Sequence, residues 1–315
     1  MKKAAKNHSL VFYNVENLYD TIDDKGVKDS DFTPSGNKHW TLDRLSKKLV
    51  DLAETIDSIP GKHAILIGLT EVENRSVALQ LLQTSPLSTH QYALLHEDSP
   101  DNRGIDVCVL YDQEYVNYLS HYYLRIHFPW NKDIKTRDVL FFECAINGEK
   151  LWVVINHWPS RMSESSAKKR DHVAKQVRAE LDKIIEQEPK VKILLMGDFN
   201  DEPNNLSLER HLEVKRSKNI DHREFYNLAA DLFEAGEGTC VHDGHWLMID
   251  QIMINRNLLQ NNNNGFAIED NKMYIHGNER LIYHKKGHSQ PNHTYSGDHY
   301  VGGISDHLPV YVKIV

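Results

Sequence analysis

A mixed α/β fold, with many strands and few helices in one domain spanning residues 1–315, is what the sequence predicts. Short apolar runs recur along the chain and are closed by Gly, Asn, Asp or Pro. One long stretch, 163–188, carries a sustained helical pattern, and neither an internal repeat nor a linker-like composition break divides the chain. With 40% hydrophobic and 26% charged residues, 315 residues can bury a substantial core. Residues 1–8 are expected to be flexible.

Taken in order, 10–15 reads as a strand, and the polar stretch 20–39, rich in Asp, Gly and Pro, reads as a surface loop. Thr41 is placed to cap a helix over 42–58, in which Leu45, Leu49, Leu52, Ala53 and Ile56 share a face and Pro60 lies beyond the end. A strand over 63–70 and a helix over 76–83 follow. Strands are expected at 92–96, 105–111, 118–126, 137–146 and 151–155, with Asn147-Gly148 as a hairpin turn. The helix at 163–188 aligns Ala167, Val173, Ala174, Val177, Leu181, Ile184 and Ile185, and Pro189 stops it. Strands at 193–196, 249–254 and 308–315 complete the set, while 260–265 and 276–303 are loops rich in Asn, Gly and His.

The net charge of -8 argues against a surface coated in basic residues for gripping nucleic acid, although a local basic groove remains compatible with it. Cys108, Cys144 and Cys240 are widely spaced and odd in number, which points to buried free thiols. The N-terminus has the basic start of a signal peptide without the apolar run that should follow. A cytoplasmic protein is expected from the chain as written, and a periplasmic or secreted one if a signal peptide has been removed. No stretch is apolar enough for a transmembrane segment.

The chemistry gathers at strand ends. In residues 190–202 the apolar run 193–196 stops at Gly197-Asp198-Phe199-Asn200-Asp201. Two carboxylates and an amide there suit a hard cation or a water held for attack, and equally a plain polar turn. The arrangement recurs at six places: Asn14 with Glu16, Glu71, His157, Asp198 with Asn200, Asp250, and Asp306 with His307. Turn chemistry does not require acids at the close of strand after strand, whereas a catalytic constellation on a rigid scaffold does.

The segments FYNVEN (12–17), LTEVEN (69–74), NHWPSR (156–161), MGDFND (196–201), IDQIM (249–253) and SDHLPV (305–310) resemble, in order and across nearly the whole chain, the endonuclease/exonuclease/phosphatase superfamily. FYNVENLYD, RGIDV and NHWPSR look closest to a bacterial branch of undefined substrate. The resemblance implies a deoxyribonuclease I-like four-layer α/β sandwich: two mixed, mostly antiparallel sheets face to face, with helices on the outer faces. It implies a metal-dependent phosphoesterase that cleaves a phosphodiester by in-line attack of activated water, nuclease-like in preference, with magnesium as cofactor and manganese as the alternative. Glu71 would be the main metal ligand, helped by Asn14, Glu16 and Asp306. Asp198, steadied by Asn200, would activate the water, His307 paired with Asp250 would hold or protonate the phosphate, and His157 would be a second phosphate contact. Glu16 departs from the commoner pattern, where an Asp or nothing acidic often stands.

The spacing of Arg75, Arg103, Arg137 and Arg161 near these motifs suggests a phosphate clamp. Asp106, interrupting an apolar run, is expected either to point into the site and orient His157 or Arg103, or to face water from an edge strand. His284, His288, His293 and His299 are spaced too loosely for a zinc site and suggest a mobile loop over the cleft. Trp130, Trp158 and Trp246 could stack on a base or pack. The protein is expected to act as a monomer on a phosphoester substrate, with nucleic acid among the candidates. Alternatives are inositol phosphates, phospholipids or another small phosphoester, or a non-catalytic binding module that keeps the fold. A calcineurin-like metallophosphoesterase is excluded: Gly197–Asp201 matches its GDxxD element, but Asn156-His157 precedes that element rather than following it.

Overall fold

Thr41 accepts a hydrogen bond from the Arg44 amide at 3.4 Å and opens α1 (Leu42–Asp57), whose apolar stripe is buried. The computed structural model describes residues 2–161, 165–260, 265–285 and 287–315. Before α1 comes β1 (Ser9–Leu18). After it come β2 (Ala64–Val72), α2 (Arg75–Gln83), β3 (Tyr92–His96), β4 (Asp106–Asp112) and β5 (Val116–Leu124). The middle of the chain supplies β6 (Val139–Ile146), β7 (Glu149–His157), α3 (Ser166–Gln187) and β8 (Lys192–Asp198). Asn147 and Gly148 both take positive φ in the β6–β7 turn, as the hairpin reading requires. The beginning of the helix expected at 163 falls partly outside the described residues.

The polar last third is richer in short elements than its sequence suggests. It contains β9 (Val214–Lys215), β10 (Phe225–Asn227), α4 (Ala230–Glu234), β11 (Cys240–His242), β12 (His245–Leu247) and β13 (Asp250–Asn255). Then follow β14 (Tyr274–Ile275), β15 (Ile282–Lys285), β16 (His288–Pro291), β17 (Tyr295–Ser296), β18 (His299–Tyr300) and β19 (Val310–Lys313). The stretch 276–303, expected as loop, thus holds two small hairpins.

Among the described residues the strands form a six-stranded sheet, β14-β19-β1-β2-β4-β3, and a seven-stranded one, β5-β6-β7-β8-β13-β10-β9. The pairs β1–β2, β7–β8 and β9–β10 are parallel and the others antiparallel. Alternate residues from both sheets interdigitate in one buried core, including Leu10, Phe12, Leu66, Val109, Phe142, Ile155, Met196, Ile252 and Val312. On the outer faces α1 and α2 cover the six-stranded sheet and α3 covers the seven-stranded one. These are the expected four layers of a deoxyribonuclease I-like sandwich. Gly68 is required for closure: a Cβ there would sit 2.6 Å from Ile155 of the facing sheet.

Residues 2–8 are anchored at two points while Lys2, Lys3, Ala4, Lys6 and Asn7 stay exposed. The Lys3 and Asn7 amides bond the carbonyls of Glu114 and Ile314, and Ala5 and His8 are buried. All three cysteines are buried free thiols. Among the described residues no helix is long and apolar enough to cross a membrane.

Candidate active site

Strand register assembles one side of the site. In the parallel β7–β8 pair His157 stands opposite Asp198, and in the antiparallel β8–β13 pair Asp198 stands opposite Asp250. Residues two apart share a face, so His157 follows Ile155, Asp198 follows Met196 and Asp250 precedes Ile252, all on the face between the sheets. The apolar core therefore ends in a row of polar side chains. Asp250 and His307 lie at or before the start of a strand rather than at the end of one. Antiparallel pairing brings them to the same edge. Gly197 allows the close approach of β7, since a Cβ there would lie 2.4 Å from the Asn156 carbonyl oxygen.

The other side is assembled by bends. Asn14 continues the inward face of β1, but Glu16, Asn17 and Glu71 take positive φ at breaks in the β1–β2 and β2–β4 registers. Such conformations cost non-glycine residues about 1 kcal/mol or more each, and bulges of this kind re-aim side chains. The Asn17 amide donates to Glu71 Oε2 at 2.8 Å, and Arg103 lies 2.5 Å from Asn17 Oδ1 and 3.5 Å from Glu71 Oε1.

Asp198 joins the two sides. Its Oδ2 accepts from Asn14 Nδ2 at 3.1 Å, and its Oδ1 accepts from the Asn200 amide at 2.9 Å. His157 Nε2 lies 3.8 Å from both Glu71 Oε1 and Asp198 Oδ2. His307 turns Nε2 toward Asp198 Oδ2 at 3.9 Å while Nδ1 contacts Asp250 Oδ2 at 2.6 Å. The Thr239 hydroxyl donates to that same Asp250 oxygen at 2.5 Å. Ser305 fixes the approach of His307, donating to the Asn14 carbonyl at 2.7 Å and accepting from the His307 amide at 3.1 Å.

The electrostatics differ from group to group. Burial, then the charge of Asp250, pushes Asp198 up to about 7 against His307 and two hydrogen bonds. Burial opposes the charge on His307, but Asp250 and Asp306 outweigh it and hold the imidazolium well above its ordinary value. His157 is driven well below its ordinary value by burial and by Arg137, Arg103 and His307, so it is neutral. Burial works to raise Glu71, yet Arg103, His307, the Asn17 amide and Arg137 hold it below the usual range. Burial and Asp306 push Glu16 up to about 7.

Three supporting groups escaped the sequence reading, Thr239 on Asp250 and two beside Glu16. Lys48 is buried, donates to the Glu16 carbonyl and lies 2.8 Å from Thr294 Oγ1, while the Thr294 amide donates to Glu16 Oε2 at 2.7 Å. A signal for Lys48 did exist: it is the one cation on the inward stripe of α1, three residues after Leu45 and four before Leu52.

Other expected residues lie elsewhere. Asp106 neither orients His157 or Arg103 nor faces water: it is buried, accepts the Ser99 amide at 2.9 Å and lies 3.9 Å from His96. The turn 97–104 folds back over the start of β4 and takes its carboxylate. Two of the four arginines, Arg103 and Arg137, act on Glu71 and His157, and the other two lie elsewhere. Arg103 is at the centre, Arg137 is buried against Asp101 and the Trp158 carbonyl, and Arg161 holds the Asn200 carbonyl. Arg75 is exposed at the start of α2 and makes no ion pair among the described residues. Asn200 spends its side-chain amide on the Trp158 carbonyl at 3.0 Å, so it shapes the turn. Asp201 is tied to Arg170 and Ser207. Trp158 is buried edge-on against Phe199, and Trp130 packs on Lys168 and His172. From 276–303 it is Thr294, not a histidine, that bonds a site carboxylate.

A sandwich whose core ends in paired carboxylates and histidines defines a class, the deoxyribonuclease I-like phosphoesterase fold. The chain belongs to the Endonuclease/Exonuclease/phosphatase family, which it matches over residues 9–315 and whose members are metal-dependent phosphoesterases. Among curated proteins none matches the sequence. Among solved structures it is similar to TDP2 of D. rerio complexed with a single strand DNA product, at a TM-score of 0.58 and 14% identity, covering 98% of each chain. The human Nocturnin catalytic domain with bound sulfate gives 0.58 and 14%, covering 100% of this chain and 96% of that one. A Bacteroides thetaiotaomicron protein described as endonuclease/exonuclease/phosphatase family gives 0.57 and 13%, covering 98% and 94%.

Proposed function

We propose that the protein hydrolyses a phosphodiester, nucleic acid before other substrates, by in-line attack of a water activated by Asp198 and with the help of a divalent cation. The observation that carries this is Asp198 itself: a buried carboxylate, pushed up to about 7 by burial, that accepts from Asn14 and the Asn200 amide and faces His157 and His307 at 3.8 and 3.9 Å. A base poised near the working pH is what water activation needs. His307, oriented by Asp250, donates from Nε2 to a phosphate oxygen. His157 offers a neutral contact to another, and Arg103 adds a cation on the side of Glu71. Asn14 orients Asp198 through its amide.

The residues fit magnesium, with manganese as the alternative. Asp306 stands half exposed, 3.8 Å from His307 Nε2, and Glu16 is pushed up by burial and by Asp306. Crowded carboxylate oxygens of this kind suit a hard cation that keeps several waters. Glu71 and Asp306 would hold it, with Glu16 behind them. When bound, the cation offsets charge on the leaving oxygen. The nucleic-acid preference draws on the likeness to a TDP2 found with a DNA product.

Purified protein with magnesium should be incubated with plasmid DNA, RNA, inositol phosphates and sphingomyelin. Cleavage of nucleic acid is expected. Turnover of only the small or lipid substrates would move the substrate class and leave the chemistry standing. If no phosphoester is cleaved and Glu71→Ala matches the wild type in metal binding, the catalytic reading fails and a binding module remains.

A further inference from the structure

Beyond the catalytic cleft, the loop 20–29 folds against the far end of β2 and brings together carboxylates that have no cationic partner among the described residues. One oxygen each from Asp24, Asp29 and Glu73 lie within 4.8 Å of one another. Asp29 and Glu73 are 1% and 4% exposed. Half of each carboxylate is spent on the loop's own backbone: Asp29 Oδ2 accepts from the Asp24 amide at 2.8 Å, and Glu73 Oε2 from the Asp20 amide at 2.6 Å. The remaining oxygens, Asp29 Oδ1 and Glu73 Oε1, are buried without any hydrogen-bond partner. Asp24 is pushed above its usual range by burial and by Asp20, Asp29 and Asp98. Among the described residues none of Asp20, Asp24, Asp29 and Glu73 has an ion-pair partner. Lys25 lines the same cavity without pairing to them.

Buried carboxylate oxygens without donors are costly, and a hydrogen-bonded fold rarely leaves them so. A cavity of about 220 Å³, lined by Asp24, Glu73, Asn74, Asp98, Ser99 and Asp106 among others, lies against Asp24 and Glu73 and leaves room for a cation with waters. The geometry points to a calcium site formed by Asp24, Asp29 and Glu73. Calcium accepts six to eight oxygens in irregular arrangements, whereas magnesium demands a near-ideal octahedron, and an exposed loop acid such as Asp24 suits the former. The bound ion would pin the loop to β2 just past Glu71. It would also brace the Arg103 turn, because the Lys28 amide bonds the Asn102 carbonyl and the Tyr19 hydroxyl the Arg103 carbonyl, each at 2.8 Å.

The test is thermal unfolding and limited proteolysis of the full chain, stripped with chelator and titrated with calcium or magnesium chloride. Wild type and Glu71→Gln should both gain several degrees in Tm with calcium and resist cleavage within 20–29. Asp24→Asn, which changes an exposed side chain and should fold, should lose most of that gain, and Asp29→Asn all of it. A calcium response undiminished in Asp24→Asn and Asp29→Asn, or one lost only in Glu71→Gln, would overturn the site. An equal response to magnesium would overturn its assignment to calcium. Because the readout includes Glu71→Gln, the outcome is independent of whether the cleft is catalytic.

Discussion

The two sides of the cleft are built by different means. On the seven-stranded sheet, His157, Asp198 and Asp250 stand side by side because three strands are in register, and their positions follow from period-two alternation alone. On the six-stranded sheet, Glu16, Asn17 and Glu71 reach the cleft from positive-φ positions where the register breaks. In the proposed mechanism the regular side would carry the groups that orient and move protons. The bent side would carry oxygens for the proposed cation, which tolerates approximate placement provided charge and ligand number are right. General-base chemistry does not, since sub-ångström misplacement is felt in rate. On the proposed roles, rigid register underlies the demanding one and strained turns the forgiving one.

The sharpest way to break that comparison is Asp198→Asn. It should lower kcat by about 10³-fold or more, with cation affinity little changed, as expected for loss of a general base. A near-normal rate would remove Asp198 from water activation. Glu71→Gln should act in the opposite sense, weakening cation binding by roughly 10–100-fold, with part of the rate regained at high magnesium. If it abolished turnover at saturating metal without changing metal affinity, the bent side would be doing more than holding a cation.

Most of the regular side was legible in the sequence, because an apolar run that ends in Asp or His at a strand terminus states both its position and its face. The bent side was legible as residue types, while its aim was not: which way Glu71 points depends on a φ of 64° that no periodicity reveals. Asp106 shows the same limit. Its place at the head of β4 was correct within a residue, but the turn 97–104 decides its partner. Lys48 was hidden by reading only the apolar members of the α1 stripe. Thr239 and Thr294 come from segments whose two- and three-residue strands are too short to carry a pattern. The layering rested on the family resemblance, and the anchored N-terminus on pairings with residues more than a hundred positions away.

The smallest expected effect concerns Asp106, an acid on the bent sheet outside the three proposed calcium ligands. Burial pushes Asp106 up to about 7 against its hydrogen bonds from Ser99, so the folded protein holds a proton there that the unfolded chain has released. The sign follows from linkage. The stabilisation is complete below the unfolded value near 4 and is lost as pH rises through about 7. In chelator-treated protein without divalent ions, raising the pH from about 5 to 6.5 should cost roughly 2 kcal/mol through this group. Asp106→Asn keeps an amide in place of the protonated acid and should flatten that decline, read from urea unfolding at a series of pH values. If the variant loses stability over the window as steeply as the wild type, Asp106 is ionised in the fold. Charge on that sheet would then be compensated by something other than protonation.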